Sequence, residues 1–263
     1  GSVTDEDHAD VDYYSIDDTT NSFAVSLGKE LSDTLDMSIG YASVERLPSV
    51  IELFMNGPHL ATGRLETGNP NLKSETSNNF DITFNFDNGD YYGVASFYIN
   101  DVENYITLMD EDDGHEDEHE DEHGDEHGNL IHANYVQENA EFDGYEFEFG
   151  RILSLGSGEL TLSFGRDVVN AKFSDGHYVP RINPSRNIYS LSYEQDDLVF
   201  RLSMKDVDKQ NDFGEGETAT DGYQMLDTRL TKSFDMSGKS KLRVSLFGKN
   251  LLDEAARNHA SFV

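Results

Sequence analysis

The sequence predicts an all-β chain, an antiparallel meander of about ten strands of the transmembrane β-barrel type. Three observations predict it. Apolar residues recur at every second position in segment after segment, the connections alternate between short and long, and no run of 18 apolar residues is present to cross a bilayer as a helix. A hydrophobic share of 36 % is low for a helical membrane protein. A barrel, however, needs apolar residues only on its lipid face and keeps its lumen and loops polar.

The period of two can be followed along the chain. Phe23, Val25 and Leu27 alternate with Ala24, Ser26 and Gly28, and Leu35, Met37, Ile39 and Tyr41 with Asp36, Ser38, Gly40 and Ala42. Phe80, Ile82, Phe84 and Phe86 are set against Asp81, Thr83 and Asn85. The segment from Tyr91 to Asn100 reads as a strand whose apolar face is ambiguous. The pattern returns at Tyr145, Phe147 and Phe149, at Leu160, Leu162 and Phe164, and at Tyr189, Leu191 and Tyr193. It continues through Leu198, Phe200, Leu202 and Met204, then Leu226, Thr228 and Leu230, then Leu242, Val244 and Leu246. These are ten candidate strands, with no convincing helix among them.

Short turns are expected at Ser32-Asp33-Thr34, Asp87-Asn88-Gly89, Leu155-Gly156-Ser157-Gly158, Asp196-Asp197 and Ser237-Gly238-Lys239. Longer polar connections fall at 47–72, 109–133, 173–182, 212–218 and 253–263. Short periplasmic turns on one rim and long extracellular loops on the other are what an outer-membrane barrel requires. The strands run well past the usual mode of about 5–6 residues, as tilted strands that continue beyond a bilayer do. A soluble β-sandwich or β-solenoid also alternates, but nothing in it calls for a strict short–long succession. Trp, common in aromatic girdles, is absent; 13 Tyr and 16 Phe can fill that role.

The chain carries 52 acidic and 19 basic side chains, a formal net charge of −33. Binding to nucleic acid needs Lys and Arg clusters, so that partner is excluded, and cationic partners such as basic proteins or metal ions are favoured. The absence of cysteine rules out disulfides, thiolate metal sites and cysteine nucleophiles. It also suits a chain that crosses an oxidising periplasm unfolded. The sequence begins Gly1-Ser2-Val3, without initiator Met or signal peptide, as a mature, tagged or partial chain would.

Arg46, Pro48, Ser49, Glu52, Leu53 and Phe54 follow the spacing Arg-x-Pro-Ser-x-x-Glu-Leu-Phe. Gly68-Asn69-Pro70-Asn71-Leu72-Lys73-Ser74-Glu75 precedes a strand, and Val244-Ser245-Leu246-Phe247-Gly248-Lys249-Asn250-Leu251-Leu252-Asp253 ends in Asn-Leu-hydrophobic-Asp. In this order the three segments resemble the strand and loop motifs of TonB-dependent outer-membrane receptors. The resemblance implies that residues 1–263 are a partial barrel domain, about half of a plugged barrel of about 22 strands. It implies that the plug domain, the TonB-box and the closing strand lie outside the chain. The protein would then sit among the lipids of a Gram-negative outer membrane, coupled to the TonB system through the missing plug. Asn56-Gly57-Pro58-His59-Leu60-Ala61-Thr62-Gly63, taken with Arg257-Asn258-His259, resembles the zinc-uptake branch and implies that His59 and His259 approach the substrate path. Haem and siderophore branches share the same barrel.

Within the connection 109–133 lies an acidic, histidine-rich run. His115, His119, His123 and His127 recur every four residues, and His132 follows. Glu116, Asp117, Glu118, Glu120, Asp121 and Glu122 stand between them. Imidazole and carboxylate are the ligands Zn²⁺ accepts where no thiolate exists. In a coil, the spacing of four places successive histidines nearly on one face, where two can grip one ion. Many near-equal sites suit capture and local concentration, and the carboxylates draw cations to the pore mouth. The bland alternative is a solvated charge run, and Ca²⁺ held by carboxylates, with the histidines as spectators, is a further one. His8, among Asp5, Glu6, Asp7 and Asp10, forms a weaker cluster of the same kind, and His177 reads as a turn residue.

No nucleophile elbow, His-Glu-x-x-His, phosphate-cradling glycine motif or dinucleotide fingerprint is present, so the chain reads as a non-enzyme without a required cofactor. The expected function is a transport receptor with zinc or another divalent metal as cargo. The alternatives are haem or a ferric siderophore on the same fold and, from another class, a soluble or surface metal-binding adhesion module.

Overall fold

The computed structural model describes residues 19–111 and 130–261, and of the first 18 only the backbone of a short antiparallel pair, β1 (Ser2–Thr4) and β2 (Val11–Tyr13). The main sheet begins with β3 (Phe23–Ser32) and β4 (Leu35–Arg46). The connection that follows holds α1 (Val50–Phe54), β5 (Asn56–His59) and β6 (Arg64–Thr67). Then come β7 (Glu75–Asp87), β8 (Tyr91–Asp110), β9 (Ile131–Leu155), β10 (Gly158–Phe173), β11 (Arg186–Gln195), β12 (Leu198–Val207), β13 (Tyr223–Asp235) and β14 (Lys241–Gly248). Ten strands run as one antiparallel meander from β3 and β4 through β7 to β14, and β5 and β6 join it to make a sheet of 12.

The ten strands of the meander are the ten expected from sequence. Register shows why their alternation is meaningful: the apolar positions line up across strands on one face. Leu27 lies opposite Ile39, Ile39 opposite Ile82, Ile82 opposite Phe97, and Phe97 opposite Tyr145. Further along, Phe149 faces Phe164, Phe164 faces Tyr189, Tyr189 faces Met204, and Met204 faces Leu226. Phe147, Phe164 and Tyr189 form a ladder of rings with centroids 5.5 and 5.1 Å apart. Phe80, Phe97, Phe149, Tyr189 and Leu246 stay solvent-exposed within the chain, so the band is a surface made to meet lipid rather than a core.

The ambiguous strand is explained by the same register. In β8, Phe97 and Ile99 belong to the apolar band together with the small Gly93 and Ala95, which sit opposite Phe149 and Phe147. Tyr92, Val94 and Tyr98 occupy the other face and are apolar enough to blur the alternation. The two tyrosines lie over Gly150 and Gly144, where a Cβ would run into the Tyr92 and Tyr98 rings respectively. That second face is polar and charged, with Glu146, Glu148, Asp167 and Arg186 lining one concavity of about 420 Å³. Arg186 is paired to Asp167 at 2.9 Å.

One expectation needs correction: a helix is present. Val50–Phe54 forms a single turn because Ser49 and Glu52 make a reciprocal capping box, and Leu53 is buried beneath it. The expected connections also prove shorter at 109–133, since β8 runs to Asp110 and β9 starts at Ile131. At 20 and 25 residues these two strands far exceed the roughly 9–11 that span a bilayer, so their paired ends stand above the apolar band. The packed core sits there, on the long-loop side. Ala140, Ala171, Phe173 and Val179 are buried together, with Tyr105, Met109, Phe142 and Ile182 against them. No helix among the described residues is long and apolar enough to cross a membrane.

Candidate functional site

The long-loop rim is built upward from the first sequence motif. Arg46 at the end of β4 donates to Glu52 at 2.9 Å and to Glu75 at 3.1 Å, joining strand, helical turn and next strand. Gly68 N–H donates to the Met55 carbonyl and Asn69 N–H to that of Glu52. Gly68 lies so close to the Leu53–Met55 backbone that a Cβ there would sit 2.6 Å from it. The Arg-x-Pro-Ser-x-x-Glu-Leu-Phe and Gly-Asn-Pro stretches are therefore two halves of one structural clasp.

Between the halves, β5 and β6 form a hairpin, His59 opposite Arg64, turned by residues 60–63 with Gly63 at φ +66°. β6 lies parallel along the start of β9, Arg64 beside Ile131 and Leu65 beside His132. Arg64 grips Asp110 at the end of β8 with two bonds, Nε to Oδ1 at 2.6 Å and Nη2 to Oδ2 at 2.7 Å. The hairpin is thus fastened to both strands that lead into the acidic, histidine-rich run. Asp110 is tied up as an ion-pair partner rather than left as a free ligand.

His59 is half exposed, and its Nδ1 is 2.8 Å from Oε1 of Glu66, which is almost wholly buried. Thr62 Oγ1 stands 2.9 Å from the same oxygen and 2.9 Å from the His59 carbonyl, and the Tyr135 hydroxyl approaches the other carboxylate oxygen at 3.5 Å. Burial, and next the charge on Glu66, push the Tyr135 phenol up from its ordinary value. His132 is an exposed residue of β9, next to this hairpin in register.

His259 is placed differently. It is buried, with Nδ1 3.2 Å from Thr220 Oγ1 and Nε2 3.5 Å from Glu217 Oε2, and Nε2 has no hydrogen-bond partner. Glu217 accepts the backbone N–H groups of Arg181 and Gly214, each at 2.9 Å, so it ties the 174–185 and 208–222 connections together. Arg181 reaches the Leu108 carbonyl at 2.8 Å; burial draws its guanidinium down from its ordinary value, against the pull of Glu217. Arg64, Asp110, Arg181, Glu217 and His259 line one cavity of about 100 Å³. The structure therefore brings the His59 hairpin and His259 to the same rim.

His177 is an exposed turn residue held by Asp175 at 2.6 Å, as its sequence context suggests. His8, His115, His119, His123, His127 and the carboxylates from Glu116 to Glu122 lie outside the described residues. Among the described residues no group of three or more His, Asp or Glu side chains is arranged to hold a metal ion. What sequence reasoning missed are the carboxylates Glu66 and Glu217 behind the two histidines. A Glu two residues after an Arg in a short strand carries no local signal of this role.

Comparison with known proteins places this geometry. The family model described as TonB dependent receptor-like, beta-barrel matches residues 4–251. The heme/hemopexin utilization protein C of Haemophilus influenzae is 36 % identical over 92 residues, 30 % of this chain and 13 % of that protein. Among solved structures, the copper transporter OprC superposes on 92 % of this chain with a TM-score of 0.69 at 20 % identity, and 35 % of OprC is covered. The siderophore receptor PirA of Pseudomonas aeruginosa superposes on 90 % with a TM-score of 0.60 at 14 % identity, with 40 % of it covered. The chain thus spans well under half the length of these relatives.

Proposed function

From the premise that the chain belongs to the TonB-dependent receptor-like β-barrel family, found in the Gram-negative outer membrane, we propose that it is part of a receptor importing a divalent metal ion, zinc foremost. The family is one of transport receptors rather than enzymes. Residues 1–263 are read as part of one barrel domain, with the plug through which TonB acts and a closing strand elsewhere in the protein. Membership of this family sets aside the soluble adhesion module.

One observation carries the metal reading. The His59 hairpin is fastened, through Arg64 and the β6–β9 pairing, to the root of the run containing His115, His119, His123 and His127. A surface run with many near-equal imidazole and carboxylate ligands concentrates cations. His59 and His132 then stand beside the root of that run, with His259 buried on the same rim. Calcium, a harder ion, would use the carboxylates alone.

A second reading, haem or a ferric siderophore as cargo, is favoured by the names of the relatives in Haemophilus influenzae and Pseudomonas aeruginosa. His59 or His259 would then serve as a haem ligand. The experiment is uptake of labelled zinc by cells carrying the whole protein, with and without a working TonB system, and with His115, His119, His123 and His127 replaced by Ala. Energy-dependent uptake that weakens in the variant is the expected result. Normal zinc import in cells lacking the protein under zinc limitation, together with a spectroscopic haem titration that depends on His59 or His259, would move the cargo to haem.

A further inference from the structure

We infer that Glu66 is a positioning residue that fixes His59 in one tautomer and presents its Nε2 as a metal ligand. The inference rests on the proposed function only in taking His59 to be a cargo ligand.

The argument starts from burial. Glu66 is 2 % exposed, whereas the His59 side chain is 48 % exposed. A carboxylate taken out of water is costly unless it is hydrogen-bonded and paired, and Glu66 is both. Its Oε1 stands 2.8 Å from His59 Nδ1 and 2.9 Å from the Thr62 hydroxyl, which is shared with the His59 carbonyl at the same distance, and the Tyr135 hydroxyl is beside Oε2. An ionised carboxylate can only accept. With Glu66 as the acceptor, Nδ1 is the donor in the short His59–Glu66 bond, and Nε2 is the ring nitrogen left to ligate a metal. The side chain that carries Nε2 is about half exposed.

This is the arrangement by which a carboxylate sets the orientation and basicity of a metal-bound imidazole. The hairpin supplies it locally. His59 and Glu66 are diagonal neighbours across β5 and β6, and Thr62 belongs to the turn that joins those strands. The scaffold beneath is rigid, because β6 is paired to β9 with Ala133 buried alongside Glu66. Glu66 touches the ligand, not the metal.

The test is zinc affinity of the whole protein in detergent, measured in a background with His115, His119, His123 and His127 replaced by Ala so that the run does not mask other sites. His59→Ala, Glu66→Gln and the double variant are compared, with hydrogen exchange of β5 and β6 confirming that the hairpin stays folded. Glu66→Gln keeps the shape and removes the charge; it is expected to weaken zinc binding by about 10–100-fold, the usual range for an orienting partner. The double variant should bind no more weakly than His59→Ala alone, because Glu66 acts only through His59. An effect of Glu66→Gln that adds fully to that of His59→Ala, or no effect beside an effective His59→Ala, overturns the inference and leaves His59 a ligand. Unchanged binding in His59→Ala overturns the ligand reading itself.

Discussion

Two histidine–carboxylate pairs stand on the same rim and are built in opposite senses. In the His59–Glu66 pair the carboxylate is buried and the imidazole half exposed. In the His259–Glu217 pair the imidazole is the more deeply buried partner, its Nε2 without a bond, while Glu217 is occupied by two backbone amides. The first leaves its imidazole half open to solvent. The second holds two connections together and keeps its nitrogen enclosed. Residue type and likeness to a motif do not separate these roles; only burial and the partner of each ring nitrogen do.

The comparison can be broken most forcefully at the ion pair that fastens the His59 hairpin and lines the cavity beside His259. Arg64→Ala removes a bidentate ion pair whose side chains are only 11 % and 13 % exposed, and leaves Asp110 unpaired. Breaking such a pair costs about 3–5 kcal/mol. Hydrogen exchange should show the β5–β6 hairpin opening, with β10 to β14 unchanged. Equal protection in the variant would mean the hairpin is held by its β9 pairing alone.

Glu217→Ala is expected next in size. It strands the Arg181 and Gly214 amides, at about 1–3 kcal/mol for each group left unsatisfied. Limited proteolysis should find the 174–185 and 208–222 connections cleaved faster, whereas Glu66→Ala should leave both as they are. His259→Phe sharpens the contrast from the other side. It removes a buried nitrogen without a bond but strands the buried Thr220 hydroxyl, so the loss should stay within about 1–3 kcal/mol, below that of Glu217→Ala. A thermal unfolding midpoint lowered by many degrees would show that Nε2 has a partner the geometry lacks.

The smallest effect concerns pH and the clasp beneath the hairpin. Burial would raise the Glu52 carboxyl, but the Ser49 amide and Arg46 outweigh it and hold it below its ordinary value near 4.5. A depressed carboxylate contributes stability above its unfolded value, and loses it as pH falls through the folded one. Protection of the α1 amides, taken relative to their intrinsic exchange rate at each pH, should therefore be constant down to about pH 5 and fall only below the ordinary carboxylate value. Loss of protection already near neutral pH would assign the clasp to another group.

The meander was legible in the sequence because a period of two is a local property, and because lipid demands apolar residues on one face of every strand. It blurred only at β8, where Tyr92 and Tyr98 fill the space that Gly150 and Gly144 leave on the second face and Val94 lies between them. The helical turn was hidden because its evidence is a capping box of two polar residues, Ser49 and Glu52, inside a polar connection. His59 and His259 could be picked out by their motifs. Their carboxylates could not, because Glu66 meets His59 through hairpin register and Glu217 meets His259 from 42 positions away in the chain.

The parallel seam between β6 and β9 has a consequence for variation. The run between Asp110 and Ile131 is anchored at both ends, by the Arg64 fork and by the Ile131 N–H bond to the Gly63 carbonyl. Its ends are therefore set by the platform and not by its own length. Doubling such a segment adds only about 0.6 kcal/mol of closure entropy. Lengthening or shortening this segment is therefore expected to leave His59 and its hairpin undisturbed.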